Sequence, residues 1–355
     1  MPSFKQHDLP QQFAQWLKQE LLQGAWAEKL PCERELCHIG GVSRRTLRAA
    51  LTILRTDGWL KTGARRGSRI VLPKGASLAT KKRRVIIIAH SPIGSRGSLN
   101  WSFVWLLQRR LLSLDYDVQI DFAPQRGLDD WLENYVPKRD SHTFALASVK
   151  KEIQAWFAAR AFKAIVMGSC FPGVRLPSLE IDYRAVCRHA ASLLLRLGHK
   201  RLLFLNTAGA YAGDLAGEEG FGEAMRMVSA AGAHYTILRH AGNTRDIRRL
   251  LVGTFKQPQR PTALLVTNGC FALCAAGILA DLGLRIPGQV SLICRDDDDM
   301  LKYYLPEIAH YAVREEALIR QSVAMFVRLN ENKNIPSKTI VPELVMGGSV
   351  RSLAP

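Results

Sequence analysis

Apolar positions follow two different periods along this chain, and the change of period divides it into two regions. In the first region they recur at helical spacing, and the clearest stripe occupies i, i+3, i+4 and i+7: Leu47, Ala50, Leu51 and Leu54. From Val85 onward, short apolar runs alternate with amphipathic segments of helix length. That alternation predicts an α/β region in which helices cover parallel sheets.

The α/β region extends over residues 85–355, which is too long for one comfortable sheet, so we expect two similar lobes. The predicted strands are Val85–Ala89, Val118–Phe122, Ala164–Met167, Arg201–Leu205, Tyr235–Leu238, Ala263–Val266, Val290–Cys294 and Ile340–Leu344. The predicted helices are Gln11–Gln23 in the first region and then Trp101–Leu114, Arg184–Leu197, Gly217–Ala231, Thr244–Phe255, Phe271–Leu282 and Glu315–Leu329. Residues 127–150 give no clear pattern.

The first region, residues 1–72, has the pattern of a helix-turn-helix followed by a basic hairpin. Ser43 supplies a polar N-cap for the helix that carries the apolar stripe. Arg44, Arg45 and Arg48 fall off that stripe and cluster near the N-terminal end of the helix. A helix that buries one face and presents arginines at this end is suited to enter a DNA major groove.

Positive charge is concentrated in the first quarter of the chain. The net charge of the whole chain is +18. Residues 1–84 hold 17 Lys and Arg against 6 Asp and Glu, or +11, whereas the remaining residues hold 32 against 25, or +7. Such an asymmetry is typical of a module that binds a polyanion. A solvated basic surface or a patch for a membrane surface is the alternative interpretation.

A basic linker is predicted at residues 73–84, which are rich in small and basic residues and end in Lys81–Arg84. These four cations either approach the DNA backbone or form a plain solvated tether. The N-terminus lacks a signal pattern, and no stretch approaches the ~18 apolar residues that span a bilayer. We therefore expect a cytoplasmic protein whose 7 cysteines are buried free thiols.

Three spaced segments of the first region carry a family resemblance: Leu30-Pro-Cys-Glu-Arg-Glu-Leu36, Gly41-Val-Ser-Arg-Arg-Thr-Leu-Arg-Ala-Ala-Leu51, and Asp57-Gly-Trp-Leu60 before a glycine-containing wing. Together they resemble the winged helix-turn-helix of the GntR family of bacterial transcription regulators. The resemblance implies DNA contacts from six residues: Arg34, Ser43, Arg44, Thr46, Arg48 and Gly67. Arg45 and Arg66 are added because of their charge and position. Cys32 and Gly40 depart from the family pattern in and before the first helix of the motif.

A second resemblance covers residues 85–350 and is sharpest from residue 180 onward. It rests on segments in register: Ile181–Tyr183, Leu197–Arg201, Pro261–Asn268, Leu282–Pro287, Val290–Asp297 and Pro342–Val345. They resemble the effector-binding domain of the LacI family, which shares the two-lobed fold of periplasmic sugar-binding proteins. The fold class predicted for the chain is therefore a winged helix-turn-helix joined to a two-lobed α/β domain of parallel sheets flanked by helices, over residues 85–355.

The second resemblance implies an effector site between the lobes, near the carboxyl ends of the strands. Asn268, after one strand, and Asp296, after another, carry over as effector contacts, and Ser91 after the first strand is a weaker match. The alternative is that these polar residues satisfy backbone groups in local turns.

Three positions depart from that family's pattern. Gly217 stands where an arginine is usual, Gly269 where an aspartate is usual, and Arg295 where a phenylalanine is usual. Two groups that commonly hold a sugar are therefore missing. The effector is either unusual, or the pocket has lost tight binding.

Metal and catalytic chemistry find little support. Four adjacent aspartates, Asp296–Asp299, cannot all face one ion, so we expect a solvated loop there. Cys270 and Cys274 have no His or Cys partner nearby for a metal site. A nucleophile elbow and a phosphate-binding loop are both absent.

The sequence therefore predicts a sequence-specific DNA-binding transcription regulator, with repression favoured. We expect a homodimer that binds double-stranded operator DNA under the control of a small-molecule effector, for which a sugar is one candidate. No cofactor, metal or membrane partner is predicted. The alternatives are a cytoplasmic enzyme on a two-lobed α/β domain and a nonspecific DNA-binding protein.

Overall fold

The computed structural model describes residues 9–22, 26, 30–40, 42–62, 68–71, 83–89, 101–124, 126–136, 142–160, 162–209, 211–227 and 232–353. The chain divides into two compact units, Met1–Lys82 and Arg83–Pro355. None of the described helices is long and apolar enough to cross a membrane.

The first unit is a small helical domain with a hairpin. Its elements are α1 (Leu9–Leu22), α2 (Glu33–Gly40), α3 (Arg44–Thr56), β1 (Leu60–Thr62) and β2 (Ser68–Ile70). The two strands are antiparallel, with Leu60 opposite Ile70. The apolar stripe of α3 is buried as predicted, and it packs against Leu17 of α1 and Leu36 of α2. The order of elements confirms the predicted winged helix-turn-helix.

The second unit has two lobes, each built on a six-stranded sheet. The first lobe contains β3 (Arg83–Ala89), α4 (Trp101–Leu112), β4 (Tyr116–Phe122), α5 (Leu128–Tyr135), β5 (Thr143–Ala147), α6 (Lys151–Ala158), β6 (Ala164–Met167), β7 (Ser178–Ile181), α11 (Glu315–Asn330) and β13 (Lys338–Ile340). Its strands run parallel in the order β13-β7-β6-β5-β3-β4. Helices cover both faces, because Val85 and Ile87 face one core whereas Ile86 and Ile88 face another.

The second lobe contains α7 (Tyr183–Arg196), β8 (Arg201–Thr207), α8 (Ala212–Met227), β9 (His234–His240), α9 (Thr244–Phe255), β10 (Ala263–Val266), α10 (Gly269–Asp281), β11 (Ser291–Cys294), a 3-10 helix (Asp299–Tyr303), β12 (Ala309–Ala312) and β14 (Glu343–Val345). The strand order is β14-β12-β11-β10-β8-β9, and β14 alone is antiparallel to its neighbour. Helices α9 and α10 cover one face of this sheet, and α7 and α8 cover the other.

In the part of the chain that the structure describes, the backbone passes between the lobes at three places. These are the junctions of β7 with α7, of β12 with α11, and of β13 with β14. Side chains of α7 such as Val186 belong to the core of the second lobe, and Phe326 of α11 belongs to that of the first. Two parallel-sheet lobes connected in this way confirm the predicted fold class.

The structure corrects several details of the sequence-based prediction. The predicted strand Ile340–Leu344 is two short strands, and they belong to different lobes. Residues 127–150, which show no clear pattern in the sequence, contain α5 and β5. Arg83 and Arg84, predicted to end the linker, lie in β3. The cysteines are free, but the expectation that they are buried holds for Cys187 and Cys294 alone, and Cys32 and Cys270 are exposed.

Candidate functional site

The N-terminal end of α3 presents a row of polar and cationic side chains. Ser43 is the N-cap, and its Oγ accepts a hydrogen bond of 3.2 Å from the backbone N–H of Thr46. The hydroxyls of Ser43 and Thr46 are 2.9 Å apart. Arg44 and Arg45 follow on the first helical turn, and both are exposed. The cap therefore fixes where the helix begins and which way these arginines leave it.

Arg48 has a carboxylate partner within its own unit. Its Nε donates to Glu33 Oε2 on α2 at 3.1 Å, and the two side chains are 69% and 42% exposed. An ion pair this exposed contributes about 0–1 kcal/mol, so a DNA phosphate can compete for Arg48 at little cost. Arg34, on the same short helix as Glu33, is also exposed.

Three predicted contact residues lie outside the described residues. They are Arg66 and Gly67 between the two hairpin strands, and Ser91 after β3. The strands on either side of the wing are described, and they pair in regular antiparallel register.

The two remaining predicted effector contacts lie at one edge of the second lobe. Asn268 follows β10 and Asp296 follows β11, and these strands are parallel neighbours. Asn268 is the N-cap of α10, where its Oδ1 accepts from the backbone N–H of Phe271 at 3.0 Å. Its amide oxygen therefore has a local role in the fold, whereas the two N–H groups of an amide are additional donors.

Asp296 is held by the residue before it. Arg295 donates from Nε to Asp296 Oδ1 at 2.7 Å and from Nη2 to Oδ2 at 3.1 Å. The third guanidinium nitrogen, Nη1, donates to Asp214 Oδ1 of α8 at 2.6 Å. Arg295 is only 2% exposed, and its guanidinium stacks on the ring of Tyr183 at 4.0 Å. Sequence reasoning treated Arg295 as a departure from a pattern and missed that it organises this edge.

Burial and charge act against each other in this group. Burial raises the pKa of the Asp296 carboxyl, and Arg295 partly offsets that rise. Burial alone would lower the pKa of Arg295, but Asp296 and Asp214 hold it well above its ordinary value. The arginine therefore stays charged, and its bidentate contact favours the ionised form of Asp296.

Arg295 belongs to a row of polar residues on the α7/α8 face of the sheet, which we call the polar layer: Asn206, Thr267 and Arg295. They lie at or just after the carboxyl ends of the adjacent strands β8, β10 and β11. Each stands two residues after a side chain that packs against α7 and α8, namely Phe204, Leu265 and Ile293, so it lies on the same face of the sheet. Asn206 Nδ2 donates to Glu218 Oε1 at 2.8 Å, and Arg239 Nε donates to the same oxygen at 2.9 Å. Thr267 Oγ1 is buried and has no hydrogen-bond partner among the described residues.

Glycines on α8 make room for these side chains. A Cβ on Gly217 would lie 3.0 Å from Cys187 Sγ and 3.8 Å from Arg295 Nη1. A Cβ on Gly213, one turn earlier, would lie 2.6 Å from the ring of Tyr183. Gly269 has a similar role beside Asp298, whose Oδ2 would be 2.2 Å from its Cβ. Two of the departures from the family pattern are therefore places where side chains of this protein fill the space.

The four adjacent aspartates, Asp296–Asp299, lie in different environments. Asp297 Oδ2 accepts from Val313 N at 3.2 Å, and Asp298 Oδ1 caps the 3-10 helix by accepting from Met300 N at 3.0 Å. Asp299 pairs with Lys302 on the surface. The expectation of a solvated loop was wrong for Asp296, whose side chain is 12% exposed.

A cavity lies between α9 and α10. It is lined by Thr244, Arg248, Cys270, Leu273, Cys274, Gly277 and Ile278. Burial raises the pKa of the Cys274 thiol. Among the described residues, no group of three or more metal-ligating side chains is arranged to hold an ion.

Comparison with known families gives a match within each unit. Residues 9–70 match the bacterial regulatory proteins of the gntR family, and residues 191–350 match the periplasmic binding protein-like domain. The chain joins a gntR-type helix-turn-helix domain to a periplasmic-binding-protein-like domain. Both predicted resemblances are thereby confirmed.

Curated relatives are described as transcription repressors or regulators. The chain is 27% identical over 175 residues to the HTH-type transcriptional repressor PurR of Haemophilus influenzae, which covers 46% of this chain and 50% of PurR. It is 35% identical over 96 residues to the "Probable opine utilization operon repressor" of Rhizobium rhizogenes, covering 26% of this chain and 48% of that protein. The chain thus spans about half the length of the curated relatives it matches.

Solved structures support the fold of the second unit. A regulatory protein of the LacI family from Chloroflexus aggregans superimposes with a TM-score of 0.65 at 21% identity, covering 76% of this chain and 99% of that one. At this identity the likeness establishes the two-lobed fold, and the function has to be argued from the residues.

Proposed function

We propose that this protein is a sequence-specific DNA-binding transcription regulator, acting as a repressor, whose operator affinity is set by a small-molecule effector. The observation that carries the proposal is the capped helix α3, which presents Arg44 and Arg45 on its exposed N-terminal turn. Its unit matches the gntR family and sits in the most basic quarter of the chain. Repressors among the curated relatives favour repression over activation.

DNA recognition is assigned to the first unit. Arg44 and Arg45 reach base edges from the N-terminal turn of α3, and Thr46 and Ser43 contact the backbone nearby. Arg34 and Arg48 contact phosphates, and Arg66 and Gly67 of the wing complete the interface. This protein acts in the cytoplasm, where its operator is accessible.

Effector recognition is assigned to the cleft between the lobes of the second unit. Asn268 and Asp296 lie at the carboxyl edge of the second lobe, which is where ligands of open α/β folds bind. Ser91 is the proposed contact from the first lobe. A ligand that binds the closed arrangement of the lobes better than the open one shifts the population toward closure.

The functional assembly is proposed to be a homodimer, which matches a two-fold operator with a two-fold protein. Exposed apolar side chains of the second unit are candidate contacts for such an interface: Trp105 is 57% exposed, Tyr303 80% and Leu305 91%. Sedimentation of the full chain at micromolar concentration should give the mass of two chains, and a monomer bound to operator would contradict it.

The test of the function is selection of genomic fragments by the full chain, followed by titration of the selected operator. Arg44→Ala should cost about 1–3 kcal/mol of operator binding and relax specificity at one base pair. Arg55→Ala, at the other end of α3, is the matched control and should bind as the wild type does. Equal affinity of the wild type for operator and random DNA would favour a nonspecific DNA-binding protein instead.

The enzyme alternative has its own test. Turnover of any ligand that changes operator affinity would favour a catalytic second unit. We expect such a ligand to be recovered unchanged after incubation with the full chain.

A further inference from the structure

Charges around the polar layer do not balance. Arg295 is paired with two carboxylates, Asp214 and Asp296. Glu218 is paired with one cation, Arg239. One negative charge is therefore left over within this group of five side chains, in a chain whose net charge is +18.

Both arginines of this group are already engaged. Arg295 donates from Nε, Nη1 and Nη2 to the two aspartates, and Arg239 donates from Nε and Nη2 to Glu218. At Arg295, an anionic ligand would have to displace a carboxylate from a guanidinium that is buried with it. At this edge, the candidate groups for a ligand are therefore the carboxylate oxygens of Asp296, the hydroxyl of Thr267 and the amide N–H groups of Asn268.

Thr267 gives an independent indication of a ligand at this place. It is 2% exposed, and its Oγ1 has no partner among the described residues. The ladder hydrogen bond from Arg295 N to Val266 O, at 2.7 Å, sets Thr267 beside Arg295 on the α7/α8 face. A buried hydroxyl without a partner destabilises the fold, and a ligand group that bonds to it removes that cost.

The same group faces the first lobe. Ser169, which follows β6 of the first lobe, has its Oγ 3.5 Å from the point where a Cβ on Gly213 would lie. The ring of Tyr183 lies 2.6 Å from that point and stacks on Arg295. This end of the polar layer therefore lies beside a residue of the first lobe.

We propose that this edge of the cleft binds a positively charged group, a protonated amine, which donates to Asp296 and to the hydroxyl of Thr267. An ammonium group has three donors and no acceptor, so it matches two carboxylate oxygens and a hydroxyl lone pair. Charge-assisted bonds of this kind are stronger than those of a neutral hydroxyl. The inference rests on the proposed function only in identifying the amine with the effector.

Two sets of three probes on shared carbon skeletons test the charge preference. One set is glucosamine, glucose and glucuronate, and the other is putrescine, 1,4-butanediol and succinate. The midpoint of thermal unfolding of the full chain is measured with each probe at constant ionic strength, and binding is measured by calorimetry. We expect an amine to raise the midpoint and bind at least tenfold more tightly than the neutral and acidic probes of its set.

Two variants locate the effect, and one serves as control. Asp296→Asn should weaken binding of the amine at least tenfold. Thr267→Val should weaken it comparably, while leaving the unfolding midpoint without probe unchanged or higher, because the unpartnered hydroxyl is gone. The control is Asp299→Asn, on the exposed side of the same aspartate run, which should bind the amine as the wild type does.

Several outcomes would overturn the amine assignment. The first three concern the unfolding midpoint: an acidic probe raises it more than the amine does, potassium chloride raises it as much as the amine does, or neither amine raises it. The fourth is amine binding that is unchanged in both Asp296→Asn and Thr267→Val. Operator titration of the same samples keeps the two proposals apart. If an acidic probe changes the operator affinity, the amine site is refuted but the proposed regulator function is not. If the chain binds no operator, the regulator function is refuted but the amine site is not.

Discussion

At the scale of single residues, the carboxyl edge of the second lobe is organised by one buried arginine. Arg295 is 2% exposed, with all three of its guanidinium nitrogens bonded to carboxylates. Such a group adds little net stability over an apolar core, but removing one partner leaves a buried charge and costs about 3–5 kcal/mol. The arrangement therefore fixes the geometry of Asp296 and Asp214 more than it stabilises the fold.

The close approach of α8 to Tyr183 predicts opposite effects for two Gly-to-Ala changes. Gly213→Ala places a methyl 2.6 Å from the ring of Tyr183, which cannot move freely because Arg295 stacks on it. The free energy of unfolding should fall by about 1–3 kcal/mol. Gly253→Ala in α9 is the matched control: its Cβ meets open space, so helix propensity should stabilise by about 0.5–1 kcal/mol. Chemical denaturation measures both, and equal effects would contradict the contact.

A buried histidine at the end of β9 makes stability depend on pH. Burial lowers the pKa of His240 from 6.5 to about 4, and its Nδ1 accepts from Gly242 N at 3.0 Å. Between these values the unfolded chain binds a proton that the folded chain does not, so stability falls as pH falls from 6.5 toward 4. The slope from this group should reach at most about 1.4 kcal/mol per pH unit.

The measurement is denaturation of His240→Gln from pH 7 to pH 4. The variant should lose part of the slope of the wild type in that window, whatever its stability at pH 7. His234→Gln, at the exposed start of the same strand, should keep the slope. A wild-type slope in His240→Gln would show that other groups set the pH dependence.

At the scale of elements, α3 depends on its cap. Ser43 Oγ accepts from Thr46 N, and α3 buries one face while its other face remains exposed. Ser43→Ala should cost about 1 kcal/mol of unfolding free energy, whereas Ser43→Asn keeps an acceptor and should cost a few tenths at most. If the role of Ser43 in DNA binding is to position Arg44, operator affinity should follow the same order. Loss of affinity in both variants would show that the hydroxyl itself makes the backbone contact proposed for it.

At the scale of the whole molecule, two separate cores predict two unfolding transitions. The first unit has its own core around Leu17 and Leu47, and the second unit has cores on both faces of each sheet. Effector at about 100 times its Kd should stabilise the second unit by about 2.7 kcal/mol and leave the first transition in place. Scanning calorimetry with effector, and then with operator, checks this. A single transition that moves with both ligands would mean that the units unfold together.

Much of the architecture follows from local pattern. The strands Ala263–Val266 and Ala164–Met167 and the helix Thr244–Phe255 have the bounds that the sequence predicts, because continuous apolar runs and helical stripes reflect burial within one element. The strand pairing near the end of the chain could not be predicted from the local pattern. Lys338–Ile340 and Glu343–Val345 join different sheets, because a crossing between lobes is decided by partners far away in sequence.

The functional residues divide in the same way. The cap at Ser43 and the exposed arginines of α3 are readable from the sequence alone, because a helix N-terminus is built from neighbours within four residues. The sequence does not predict that Arg295 pairs with Asp214, 81 positions away, or that it lies against Gly217. It does not predict the unpartnered hydroxyl of Thr267 either. Burial, charge balance and hydrogen-bond satisfaction at the carboxyl edge arise only when β8, β10, β11 and α8 pack together. The sequence thus determined which segments form and which helix carries the arginines, whereas the tertiary structure decided which charges come together at the carboxyl edge of the second lobe.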